Sequence, residues 1–195
     1  MQLAKQLRHL ARSSTLALAV AAPLLALAAP AAADEVRAAS GYLIDAADLM
    51  PGFSTDTFDV RLTGLTAEHD LVAYAALAQE RGYLALHSEL SGAEVGRFRI
   101  GRDVGLPIAL AQERREDGLR RLLLVVERHI SLRDLRSDPR ALEYPYLVID
   151  LRFDAHGSGD GELYPVAKLR VSPDGRISYE SWSPQPVRIT QLDFS

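Results

Sequence analysis

Between Thr57 and Thr63 the chain reads "TFDVRLT", with Phe58, Val60 and Leu62 alternating against Asp59, Arg61 and Thr63. A period of two puts the apolar set on one face, so the stretch predicts a half-buried strand. The period then lengthens. Thr66 is placed to cap a helix, Glu68 and Asp70 stand in its first turn where the dipole favours anions, and Leu71, Ala75 and Ala78 share one face. Gly82 ends or kinks that helix, and "YLALHSEL" predicts a further turn or two before Gly92.

From Gly96 onward the pattern returns to strands divided by turn residues. "RFRIG" and "PIALAQER" are short candidates, whereas "RRLLLVVER" encloses an apolar run between charges and predicts a central strand buried on both faces. "SLRDLRSDPR" predicts a surface helical turn stopped by Pro139. In "YLVIDLRFD", Leu147, Ile149, Leu151 and Phe153 alternate with Val148, Asp150 and Arg152. "ELYPVAKLRV" sets Leu163, Ala167, Leu169 and Val171 on one face, with Pro165 marking an edge or a bulge. "SPDG" at Ser172 to Gly175 predicts a tight turn, and "RISYESW" and "PVRITQLDF" are the final strands. The expected fold class is therefore α+β: a mainly antiparallel sheet of about six to eight strands with one or two helices packed on one face. Curved by bulges and glycines, such a sheet could close into a half-barrel with an apolar cavity.

The first residues change the picture. "MQLAKQLRHLARSS" carries Lys5, Arg8 and Arg12 as a basic head, and the apolar run after it is too short for a membrane-spanning helix and ends at Ala31 and Ala33 in an A-x-A pattern. Residues 1–33 are expected to be a secretory signal peptide and residues 34–195 a single globular α+β domain, periplasmic or secreted, with no transmembrane segment after cleavage. No cysteine follows the apolar run, which excludes a lipoprotein anchor and a thiol nucleophile. Three of the 22 basic residues and none of the 26 acidic ones precede Asp34, so the remaining 162 residues carry a net −7. Nucleic acid is not expected as a partner.

Candidate chemistry is sparse. "FDAHGSGDGELYP" gathers Asp154, His156, Asp160 and Glu162, oxygen and nitrogen donors for a divalent cation, but the glycines between them match no calcium loop and the position suits a hairpin turn. Zinc would need His156 joined by distant partners such as His69, His87 or His129, whose spacings carry no signature. "GSG" lacks the spacing of a nucleophile elbow, and "GRFRIGRDVGLP" lacks the lysine of a phosphate loop. Tyr144, Tyr146, Tyr164 and Trp182, with Tyr179, are the amphipathic rings that a binding pocket would use, or that would simply cover sheet edges. "RREDGLRR" sets Arg114, Arg115, Arg120 and Arg121 around an Asp117-Gly118 hairpin and could hold an anion between paired arginines.

Gly101, Gly105, Pro107 and the strand end from Arg128 to Ile130, within "GRFRIGRDVGLPIALAQER" and "RRLLLVVERHISL", resemble a set of secreted bacterial proteins of unassigned function. That resemblance implies no activity and no site. The expected function is a non-enzymatic binding or accessory protein whose partner is a small ligand or an envelope protein. The alternatives are a metal-dependent or serine hydrolase of the cell envelope, and a structural protein engaging neighbours through an uncovered edge such as the strand ending at Phe194. No cofactor is expected beyond the divalent cation that the loop from Asp154 to Glu162 would take.

Overall fold

A computed structural model describes residues 37–44, 55–128, 143–182 and 185–195. The expected signal segment, residues 1–33, and the turn expected at "SLRDLRSDPR" lie outside the described residues. The elements are β1 (Arg37–Ile44), β2 (Thr55–Leu62), α1 (Glu68–Arg81), α2 (Tyr83–Leu90), β3 (Gly96–Ile100), β4 (Leu106–Glu116), β5 (Leu119–Glu127), β6 (Tyr146–Phe153), β7 (Ser158–Val171), β8 (Ile177–Ser181) and β9 (Val187–Phe194).

The sheet does not stay open. β1 to β6 follow one another as antiparallel neighbours, β6 pairs with β7, β7 with β9, and β9 returns to β1. The result is a closed eight-stranded antiparallel barrel, which corrects the expected sheet with helices packed on one face. Closure depends on β1, whose "RAASGYLI" pairs with β2 along one edge and with β9 along the other. β9, expected as an uncovered edge, is thus paired on both sides. β8 pairs with the far half of β7 and extends it as a ribbon outside the barrel.

Inward side chains form one apolar cluster that includes Leu43, Phe58, Val60, Phe98, Leu122, Leu124, Ile149, Leu151, Leu163 and Ile189, all essentially without solvent exposure. Side chains fill the lumen, as expected for a barrel of this strand number. A second cluster lies outside the wall. There Leu110, Leu123, Val125, Tyr146 and Val148 of β4–β6 meet Leu71, Leu86 and Leu90 of the helices and Leu169 and Ile177 of the ribbon. The unbroken "LLLVV" run follows from this arrangement: alternate residues of β5 serve the two clusters.

Bulges set the corners. One extra residue in β4 between Ile108 and Leu110, one in β7 opposite the step from Tyr146 to Val148, and one in β9 at Gln191 (φ 51°) shift the register. The bulge in β7 falls beside Pro165 and reverses the parity of the strand. Leu163 therefore faces the lumen, whereas Ala167 and Leu169 face the outer cluster, correcting the expectation of a single shared face. Thr66 does not cap α1 either. Its Oγ1 accepts the Ala111 amide at 3.0 Å and its own amide donates to the Ala111 carbonyl, which ties the start of the helical segment to β4. Gly82, at φ 83°, separates α1 from α2. Among the described residues no helix is long and apolar enough to cross a membrane.

Candidate functional site

Where the ribbon folds back over the barrel wall, a concavity of about 360 Å³ opens between them. The wall side supplies Gln112, Arg114 and Glu116 of β4 with Arg121 and Leu123 of β5; the ribbon side supplies Arg176 and the β8 residues Ile177, Ser178 and Tyr179. The "SPDG" turn places this ribbon, with the Gly175 amide donating to the Ser172 carbonyl at 2.8 Å and Gly175 at φ 74°. Buried Gln112 then clasps it. Its Nε2 donates to the Gly175 carbonyl at 2.8 Å, and its Oε1 accepts the Ile177 amide at 3.1 Å.

One margin of the cleft rests on Asp150, a carboxylate only 1% exposed in the middle of β6. Arg121 grips it with two donors, Nε to Oδ1 at 2.8 Å and Nη2 to Oδ2 at 2.6 Å. The Tyr179 hydroxyl donates to Oδ2 at 2.9 Å, while Arg121 Nη1 donates outward to Glu116 at 2.8 Å. Burial, followed by the influence of Tyr164 and Asp150, pushes the Tyr179 phenol far above its ordinary range, so it remains a donor. Strands β5, β6 and β8 are thereby locked together by charge-assisted hydrogen bonds, and the guanidinium facing the cleft is held in one orientation.

The arginine run divides by parity. Arg114 and Arg121 are cross-strand partners on the outer face, and the Asp117-Gly118 hairpin, with both residues at positive φ, joins their strands. Arg120 turns into the barrel mouth. It pairs with Glu113 at 2.8 Å beside Arg37 at 2.6 Å, and its guanidinium lies over the Phe153 and Phe194 rings. Hydrogen bonding to Arg120, followed by the charges of Arg120 and Arg37, holds the Glu113 carboxyl below the usual range against the opposing effect of burial. Arg115 is exposed and contributes to neither group.

In the stretch from Asp154 to Glu162, the first four residues turn between β6 and β7 and the rest opens β7. The Asp154 carboxylate accepts the amides of His156 at 2.7 Å and Ser158 at 3.1 Å, so it closes the turn. Gly157, at φ 85°, donates its amide to the Asp154 carbonyl, and a Cβ there would overlap the Phe194 carbonyl. Asp160 and Glu162 stand further along β7, opposite Arg152 and Asp150 of β6, and Glu162 accepts from the Tyr164 hydroxyl at 2.6 Å. Among the described residues no three His, Asp or Glu side chains come together to hold a metal ion.

The aromatic candidates fall into three places. Tyr144 is buried, donates to Glu180 at 2.8 Å and packs against Trp182, whose ring is half-exposed. Tyr146 is fully buried beneath α2, edge-on to Tyr83 and His87. Tyr164 leans on Tyr179 with centroids 4.7 Å apart. Tyr179 alone lines the cleft. A serine, a histidine and a carboxylate also meet where the end of α2 reaches the end of β5: Ser91 Oγ donates to Glu127 at 2.8 Å, and His87 Nε2 lies 3.9 Å from the same carboxylate. The acid stands between serine and histidine, so the base does not reach the hydroxyl as nucleophilic catalysis requires.

Gln112, Asp150 and Arg176 were not candidates in the sequence. Asp150 carried a usable signal, because a carboxylate inside a run buried on both faces demands a charged partner. Fold and site together define a closed antiparallel barrel with a polar cleft on its outer wall. The chain matches no protein-family model, no curated protein and no solved structure.

Proposed function

We propose that this chain is a non-enzymatic binding or accessory protein, secreted or periplasmic, that carries a small ligand on the outer wall of its barrel. The observation supporting this most is the cleft between β4–β5 and the ribbon, whose polar groups are fixed in advance by Asp150 and Gln112. Pre-set groups of this kind lower the ordering cost of binding. The volume lies at the small end of ordinary ligand sites. The lumen offers less, because apolar side chains occupy it. The hydrolase alternative has weaker support, since the order of Ser91, Glu127 and His87 does not suit nucleophile activation.

Native mass spectrometry of the exported protein, purified without chelator from periplasm or medium, tests the proposal. The expected result is an added mass that survives EDTA and disappears on denaturation. A bare monomer mass would overturn ligand carriage and leave an envelope protein as the partner to seek. An added mass removed by EDTA, and lost when Asp154, Asp160 and Glu162 are changed to alanine, would return the hairpin as a cation site.

A further inference from the structure

Within the cleft one cation stands apart. Arg114 is half-buried, and among the described residues no carboxylate is in ion-pair or hydrogen-bond contact with it. The acids around it are already engaged. Glu113 is held by Arg37 and Arg120, Glu116 by Arg121, and Asp174 by the Ser172 hydroxyl and by Arg176 at 3.9 Å. Burial, and next the charge of Arg176, works against protonation of Arg114 where it sits, only partly offset by the charges of Asp174 and Glu116. A guanidinium in that position gains from an incoming anion.

The other groups suit the same guest. Arg176 lines the opening with Arg114 and is mostly exposed, its only ion pair among the described residues a long one to Asp174 at 3.9 Å, while the Ser178 hydroxyl beside it donates to the Arg170 carbonyl at 3.4 Å. Leu123 and Ile177, both nearly buried, provide an apolar floor. Arg121 spends three of its five N–H donors on Asp150 and Glu116, which hold it in place as a wall.

Resting on the binding role proposed above, we infer that the cleft takes a small organic anion, a carboxylate or phosphate monoester with a short apolar body, gripped by Arg114 and Arg176. The planar fork of Arg114 addresses two oxygens at once, which an ammonium does not reproduce. The bound anion separates two like charges and fills the coordination that Arg114 lacks.

Calorimetry and amide NMR on the exported protein test this with benzoate, phenyl phosphate and uncharged benzamide as probes. One of the two anions is expected to bind, shifting the amides of Arg114 and Ile177 to Tyr179, and the tighter one identifies the head group. Arg114→Gln is expected to weaken that binding about ten-fold or more, the scale of a lost charged hydrogen bond. Arg176→Gln, at an exposed position that the fold does not need, is expected to weaken it to a smaller extent. Arg115→Gln removes the same charge away from the cleft and is expected to change binding less than two-fold. Benzamide binding as tightly as benzoate, or unchanged anion binding in a folded Arg114→Gln, would overturn the anion assignment. In that case a retained native mass adduct would leave the carrier role standing. Absence of both the adduct and any probe shift would remove both.

Discussion

One half of the barrel is dressed and the other is bare. On β4, β5 and β6 the outward positions are Leu110, Leu123, Val125, Tyr146 and Val148, covered by the helices and the ribbon. On β2 and β3 they are Asp59, Arg61, Arg97 and Arg99, facing water and joined by contacts such as Arg99 Nε to Asp59 at 2.7 Å. Both halves share one apolar lumen, so the outer layer alone accounts for the difference. It also decides what a polar residue costs. In the bare half a charge stays hydrated. Under the dressed half Gln112 and Asp150 are buried, hence every hydrogen bond they make is one the fold depends on.

Removing partners should expose that contrast. Asp150→Ala leaves Arg121 and the Tyr179 hydroxyl without their buried acceptor, and a loss of about 3–5 kcal/mol is expected in urea unfolding. Gln112→Ala frees the Gly175 carbonyl and the Ile177 amide; about 1–3 kcal/mol should be lost. Faster hydrogen exchange at Ile177 would accompany it, and an unchanged Ile177 amide would show that something else holds the ribbon. At the barrel mouth the Glu113 carboxyl is depressed, so its stabilising contribution is complete above the unfolded value of about 4.3 and disappears as pH falls through the lower folded value. Wild type should therefore lose stability more steeply below pH of about 4 than Glu113→Gln, as followed by thermal unfolding. Asp59→Ala in the bare half should cost no more than about 1 kcal/mol and should cease to matter in high salt. A large effect at Asp59 would end the comparison.

The same contrast explains what the sequence disclosed. Strands of the bare half show plain alternation, as in "TFDVRLT", and "RRLLLVVER" reveals burial on two faces by its unbroken apolar run. A curved half-barrel was legible from the bulges and glycines, but full closure was not, because β1 presents "RAASGYLI", whose small residues carry little periodic signal. Gly41 is small for a reason, since a Cβ there would approach the Thr190 carbonyl and the Phe58 ring within 2.9 Å. Without β1 the remaining strands describe an open sheet. The cleft was half visible: "RREDGLRR" held Arg114 and Arg121, while Gln112 and its Gly175 clasp lie 63 residues apart and meet only through the ribbon. A bulge that reverses strand parity, as beside Pro165, likewise leaves only a proline in the sequence.

The seam between β1 and β9 has a consequence for biogenesis. Ala38 and Ser195 exchange backbone hydrogen bonds at 3.0 and 2.9 Å, so the earliest and latest described strands are side by side. A ribosome delivers β1 well before β9, and long-range pairing of this kind forms slowly. Until β9 emerges, the nascent polypeptide has every other stave and no hoop. The barrel stays open for as long as its last stave is missing, and shuts when that stave arrives.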